Sequence, residues 1–341
     1  MRRALTTMIA WLLGAGCGGS DEGSGGGGGQ AGQAGSAGAA GTAASAGAAG
    51  SGGAAGSSGS GGSGGFTADE CITDVTPADR HVFTCDGLTY DVSLPASCET
   101  TACGLVFDVH GFSMSGLMED HNTNLAALGR QHGYIVVNPN AEPDPPLASW
   151  TAAEDDPKVF AFLERVMNVF KVDPKRVHFT GFSQGGDMTW RMLCAHSDVI
   201  ASAAPAGSGH SANEQCFSQG KSPARELPIL FMHGTADALV PFSEAEAARD
   251  AVVAAYGGGS PEVVSQDTEH LWSRWQGASG GLFEFVQHDY TGAQLLGGHC
   301  YPGSADPGGE PGQFFSFKCD QTAAFVWGEK VMEFFIAHPM P

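Results

Sequence analysis

Basic residues are scarce in this 341-residue chain: 16 Lys and Arg stand against 37 Asp and Glu, for a formal net charge of −21. Two of the basic residues, Arg2 and Arg3, sit at the extreme N-terminus, and subtracting them takes the charge to −23. Such a surface repels phosphate backbones and anionic headgroups, which argues against nucleic acid and charged lipid as partners. Neither a CxxC pair nor HExxH occurs, so the common zinc patterns are missing and no metal is expected. The apolar run Met8–Leu13 is too short to span a bilayer. Between 18 and 65 there is no proline and no aromatic residue, only Gly, Ala and Ser with a few polar residues. A segment of that composition cannot bury enough apolar surface to offset its ordering entropy, and it has no Gly-X-Y period, which excludes collagen.

What is present divides the chain in three. Arg2 and Arg3, the short apolar run, and small residues ending at Cys17 form an export signal. The small residues before Cys17 resemble a bacterial lipoprotein box, so residues 1–17 are expected to be a signal peptide with Cys17 lipidated. That places the protein at the cell envelope, anchored to the outer membrane, or outside the cell; plain secretion is the alternative. Residues 18–65 are expected to be a flexible tether with a reach on the order of 40 Å. Residues 66–341 are long enough for one large domain and short for two.

Nine cysteines support export. With Cys17 set aside, eight remain, an even number suited to disulfides. Neighbour pairing is the simplest arrangement: Cys71 with Cys85, Cys98 with Cys103, Cys194 with Cys216, and Cys300 with Cys319. Sequence alone leaves the connectivity open.

From Phe66 onward, strand and helix patterns alternate. His81 to Leu94 predicts a strand pair turning at Asp86-Gly87. Leu105–Val109, Tyr134–Asn138, Arg176–Gly181, Ile200–Pro205, Pro228–His233 and Leu282–Asp289 predict buried strands. Helices are predicted over Leu117–His132, Pro157–Phe170 with Asp156 as cap, Gln184–Ala195, Ser243–Ala255 and Thr322–Ala337. Apolar strands alternating with helices imply an α/β fold with a mostly parallel sheet covered on both faces and no second domain.

The strongest chemical signal is Gly181-Phe182-Ser183-Gln184-Gly185. It is a G-x-S-x-G elbow with a strand before it and a helix after it, which lifts the Ser183 hydroxyl to the C-terminal edge of the sheet. A serine needs a base, and the base needs an orienting acid. Asp237 follows a buried strand, where catalytic groups gather in open α/β sheets. His299 lies in a glycine-flanked loop after the last strand, free to reach Ser183. His288 is held within a strand, His233 precedes the acid, and His270 precedes the last strand. Ser183 is therefore the expected nucleophile, His299 the base and Asp237 the acid. The oxyanion donors are expected to be the N–H groups of Gln184 and of Phe112, after His110-Gly111. His110 itself is taken as structural. Trp272 and Trp275 are candidates for lining a substrate cleft, with a core role as the alternative; Trp150 and Trp190 are taken as core.

Together, Gly181–Gly186, His233–Asp237 with Val240-Pro241, and Gly298–Gly303 resemble the polyhydroxybutyrate depolymerase-like esterases, a group that includes feruloyl and acetylxylan esterases. The resemblance spans roughly residues 80 to 337. It implies the α/β-hydrolase fold, a Ser183-His299-Asp237 triad, no cofactor, and feruloyl or acetyl esters of xylan-like polysaccharide as substrates, with polyhydroxyalkanoate as the alternative. A catalytically silent tethered binding lipoprotein and a peptidase are the readings from other classes.

Overall fold

The structure is a computed structural model, and it describes residues 66–341 except 219, 294 and 315. The expected signal peptide, Cys17 and the tether lie outside the described residues. A hairpin opens the domain: β1 (Ala78–Cys85) and β2 (Leu88–Leu94) pair antiparallel across a turn in which Asp86 and Gly87 both take positive φ. Next come β3 (Gly104–Val109), α1 (Gly116–Thr123), α2 (Leu125–His132), β4 (Tyr134–Asn140), α3 (Ala152–Phe170), β5 (Val177–Phe182) and α4 (Gln184–Ala195). The second half carries β6 (Ser202–Ala206), β7 (Ile229–Gly234), α5 (Phe242–Ala255), β8 (Glu262–Gln266), β9 (His270–Gln276), β10 (Leu282–His288) and α6 (Trp327–Ala337).

All ten strands form one sheet in the order β1-β2-β4-β3-β5-β6-β7-β10-β9-β8. The six strands from β4 to β10 run parallel, and an antiparallel pair flanks them at each edge. β3 to β7 are buried along nearly their whole length because helices cover both faces, which is why they read as mostly apolar runs. On one face Tyr90 stacks on Phe162 of α3, with ring centroids 3.7 Å apart. On the other, Phe335 of α6 stacks on His178 of β5 at 4.6 Å. This is the α/β-hydrolase architecture, in a single domain.

Four elements differ from expectation. The helix expected over Leu117–His132 is broken at Asn124, which adopts φ 56°; asparagine tolerates the left-handed region, and Asp120 caps the new start by accepting the Ala126 N–H at 2.7 Å. The helix expected to begin at Pro157 begins at Ala152, because the Asp155 carboxylate accepts the Thr151 N–H at 2.7 Å. Pro157 therefore lies inside the helix, where the Ala153 carbonyl it leaves unpaired is on an exposed residue that water can reach. Asp156 is not the cap; it pairs with Arg191 of α4 at 2.6 Å. The last helix begins at Trp327 rather than Thr322, since the Ala324 N–H donates to the Tyr290 hydroxyl and the Trp327 N–H to the Pro302 carbonyl, neither of them an acceptor within a helix. The hairpin β8–β9 had no counterpart in the sequence reading.

The eight described cysteines form Cys71–Cys85, Cys98–Cys103, Cys194–Cys216 and Cys300–Cys319, with Cα separations of 5.8, 5.3, 5.5 and 5.1 Å. Four disulfides mark a domain that folds in an oxidising compartment.

Candidate active site

Ser183 sits between β5 and α4 with φ 56° and ψ −118°, a conformation that L-residues rarely adopt. Close packing of backbone holds it there. A Cβ on Gly185 would overlap the Val109 carbonyl of β3, so only glycine fits and α4 lies hard against the sheet. The Ser183 N–H donates to the Ala206 carbonyl of β6 at 2.9 Å, and the hydroxyl is carried to the start of α4. There the helix dipole favours developing negative charge.

Asp237 and His299 meet from two loops. The Asp237 loop follows β7 and the His299 loop follows β10, and these strands are neighbours in the sheet. A short antiparallel bridge joins Asp237 to Gly297, supported by the Ala238 N–H to the Leu296 carbonyl at 3.1 Å and the Gly298 N–H to the Ala236 carbonyl at 2.9 Å. His299 Nδ1 lies 2.6 Å from Asp237 Oδ2. The other carboxylate oxygen accepts the N–H groups of Leu239 and Val240, both at 2.8 Å. Burial pushes the Asp237 carboxyl up, but the His299 and His233 rings and these donors outweigh it and hold its pKa below the ordinary value. An ionised, fixed carboxylate keeps the proton of His299 on Nδ1 and leaves Nε2 as the basic nitrogen. The ring packs against Phe182, the residue before Ser183, with centroids 4.5 Å apart, and lies 6.4 Å from Phe317. Cys300–Cys319 closes the chain immediately behind it.

The loop after β3 completes the site. Gly111 approaches so closely that a Cβ there would stand 3.0 Å from Ser183 Cβ, which brings Phe112 to the elbow. Gln184 is the first residue of α4, so its N–H has no intrahelical acceptor. Its side-chain carbonyl accepts the Trp150 N–H at 3.1 Å. His110 is structural: Nδ1–H donates to the Gly111 carbonyl at 2.7 Å, and Nε2 accepts the Ala141 N–H at 3.0 Å. Burial lowers its pKa to about 4, so it stays neutral.

Trp272 and Trp275 are not part of this site. Both lie on β9, four strands from β5, about 19 Å across the sheet. Trp275 is buried against Phe283, and the Trp272 indole N–H donates to Glu284 Oε2 at 2.7 Å. The sequence pattern did not single out His233 as a neighbour of the acid, although only three residues separate them. Its Nε2 lies 3.1 Å from the Val240 carbonyl and 3.4 Å from Asp237 Oδ2. Tyr301, inside the Gly298–Gly303 motif but given no role from sequence, packs its ring 4.2 Å from Phe182.

The fold and the strained elbow define an α/β-hydrolase. Residues 154–274 match a family model described as Phospholipase/Carboxylesterase, a span that includes Ser183 and Asp237 and ends before His299. The chain is similar to a feruloyl esterase B of Piromyces equi, 31% identical over 149 residues, covering 42% of this chain and 27% of that protein. It is also similar to a bifunctional acetylxylan esterase/xylanase of Neocallimastix patriciarum, 26% identical over 144 residues, covering 42% of this chain and 20% of that protein. The chain thus spans only about a fifth to a quarter of these relatives. Among solved structures, an acetyl xylan esterase from Aspergillus awamori superposes with a TM-score of 0.51 at 16% identity, over 73% of this chain and 93% of that one. The protein is therefore an α/β-hydrolase in fold, related in sequence to carboxylic ester hydrolases.

Proposed function

We propose that the protein is an exported serine carboxylic ester hydrolase. The observation that carries this reading is the Asp237–His299 pair, held at 2.6 Å by two bridged loops and packed against the residue that precedes Ser183. In the first step His299 Nε2 takes the proton of the Ser183 hydroxyl while Oγ attacks the ester carbonyl. The oxyanion of the tetrahedral intermediate accepts hydrogen bonds from the N–H groups of Gln184 and Phe112. The intermediate collapses, the C–O bond to the alcohol breaks, and His299 returns the proton to the departing oxygen. Water then attacks the acyl-enzyme with His299 again as base, which releases the acid and restores Ser183. Asp237 stays ionised throughout, in keeping with its lowered pKa, and stabilises the imidazolium formed in each step.

The substrates proposed are feruloyl or acetyl esters on xylan-like polysaccharide, the chemistry carried in the names of the two relatives. Polyhydroxyalkanoate is the second reading, supported by the motif resemblance alone. A panel of methyl ferulate, acetylated xylan and polyhydroxybutyrate particles given to the purified protein separates them. Turnover of either carbohydrate-type ester with none of the polyester supports the first reading, and turnover of the polyester alone refutes it.

A further inference from the structure

Behind the site lies a cluster of buried acids that the triad chemistry does not use. Asp108, on β3 two residues before His110, and Glu119, on α1, are both fully buried and lie within hydrogen-bond reach of each other. Asp108 Oδ2 accepts the Thr123 hydroxyl at 2.7 Å and the Asn138 amide at 3.2 Å. Glu119 Oε1 accepts the Tyr301 hydroxyl at 2.6 Å. The two remaining oxygens, Asp108 Oδ1 and Glu119 Oε2, have no protein donor. Buried acceptors without a donor cost free energy, and two adjacent carboxylates in an apolar interior cost more. A proton held between the two carboxyls would give both oxygens a partner. Tyr301 stands two residues after His299 and next to the disulfide-bonded Cys300, and Ser304 ties the same loop to α1 by donating to Asn122 Oδ1 at 2.7 Å.

We propose that Glu119 and Asp108 share a single proton, carried by Glu119, and that this pair acts through the Tyr301 hydroxyl as a positioning device for His299. It rests on the reading of His299 as the general base. Asp108 receives two donors on Oδ2, which makes it the better anion; Glu119 then donates from Oε2 to Asp108 and accepts from Tyr301. The strand carrying the oxyanion loop and the loop carrying the base are thereby set against one another through one polar chain. Burial raises Asp108 to about 7 against the hydrogen bonds from Thr123, Glu119 and Asn138 that favour its anion, whereas burial and then the Asp108 charge push Glu119 well above its ordinary range. The charged groups facing them are acidic, Asp120 on both carboxyls and Asp306 on Tyr301, so no cation among these offsets a second negative charge. A carboxyl whose folded pKa is raised stabilises the fold fully below its unfolded value, and that contribution is lost as pH rises through the folded value. The proton lost is that of Glu119, so the loss sets in as pH rises above the ordinary carboxyl range, through its raised folded value.

The test compares wild type with Glu119→Gln, Glu119→Ala and Tyr301→Phe, measuring kcat and KM on 4-nitrophenyl acetate and Tm from pH 5 to 9. The glutamine amide reproduces the pattern of a protonated Glu119, donating to Asp108 and accepting from Tyr301, but it has no proton to lose. Glu119→Gln should keep kcat near wild type, and its Tm should fall less than that of wild type as pH rises. Glu119→Ala and Tyr301→Phe should lose on the order of 10- to 10²-fold in kcat with KM little changed, the cost of a base displaced by a fraction of an ångström to an ångström. Glu119→Gln as inactive as Glu119→Ala, or with the same alkaline Tm loss as wild type, overturns the proposal. If Glu119→Ala or Tyr301→Phe fails to fold, the Glu119→Gln comparison decides alone. A wild type that hydrolyses nothing refutes the esterase reading, and the Tm comparison still judges the shared proton.

Discussion

At the scale of single residues the site depends on one side chain having no freedom. Asp237 receives His299 on one oxygen and two backbone N–H groups on the other, so neither its rotamer nor its charge can drift. Asp237→Asn keeps the size but presents an amide in place of the acceptor and turns His299 to the wrong tautomer. The expected loss is about 10⁴-fold in kcat, with the fold intact by circular dichroism; a loss of less than about tenfold would remove Asp237 from the triad. Ser183, Asp237 and His299 stand out in the sequence as the proposed triad because each sits in a motif whose glycines and flanking strand have a mechanical reason. His233 and Tyr301 lie in the same motifs, but no role for either could be read from them. Their roles come from contacts made only when β7, β10 and α1 converge, and no spacing rule anticipates a tyrosine on a loop reaching a glutamate 182 positions away.

Among elements, the loop that carries His299 has, in its described residues, no helix or strand of its own and is closed by a disulfide. It leaves β10, passes His299 and is closed by Cys300–Cys319 over a separation of 19 residues. A loop of that length gains about 3 kcal/mol from the cross-link. Replacing both cysteines by serine should lower stability by about that amount in urea denaturation, and should lower kcat more than it raises KM, because the imidazole rather than the binding surface loses its support. Unchanged kcat in the double variant would show that the bridge plays no part in holding the base. The parallel strands were legible because burial on both faces makes them mostly apolar. The β8–β9 hairpin was not: β8 is exposed on nearly every residue and carries no alternation that a core would impose. Asn124 and Asp155 show the other blind spot, where a polar side chain, not periodicity, sets where a helix starts.

For the whole molecule, the four disulfides suit an extracellular domain, and residues 1–17 are proposed as its export signal. The reading of Cys17 as a lipid anchor predicts that the membrane-extracted protein begins at Cys17 and carries the mass of a diacylglyceryl group. An unmodified N-terminus recovered from the medium contradicts the anchor and leaves plain secretion. Above these details stands one claim, that a hydroxyl at the edge of the sheet is made nucleophilic by an imidazole from a distant loop. The most direct measurement is labelling with a fluorophosphonate followed by peptide mass spectrometry. The account predicts one adduct, on Ser183, that disappears in His299→Ala while the protein remains folded; an unlabelled wild type, or an adduct on any other residue, contradicts it.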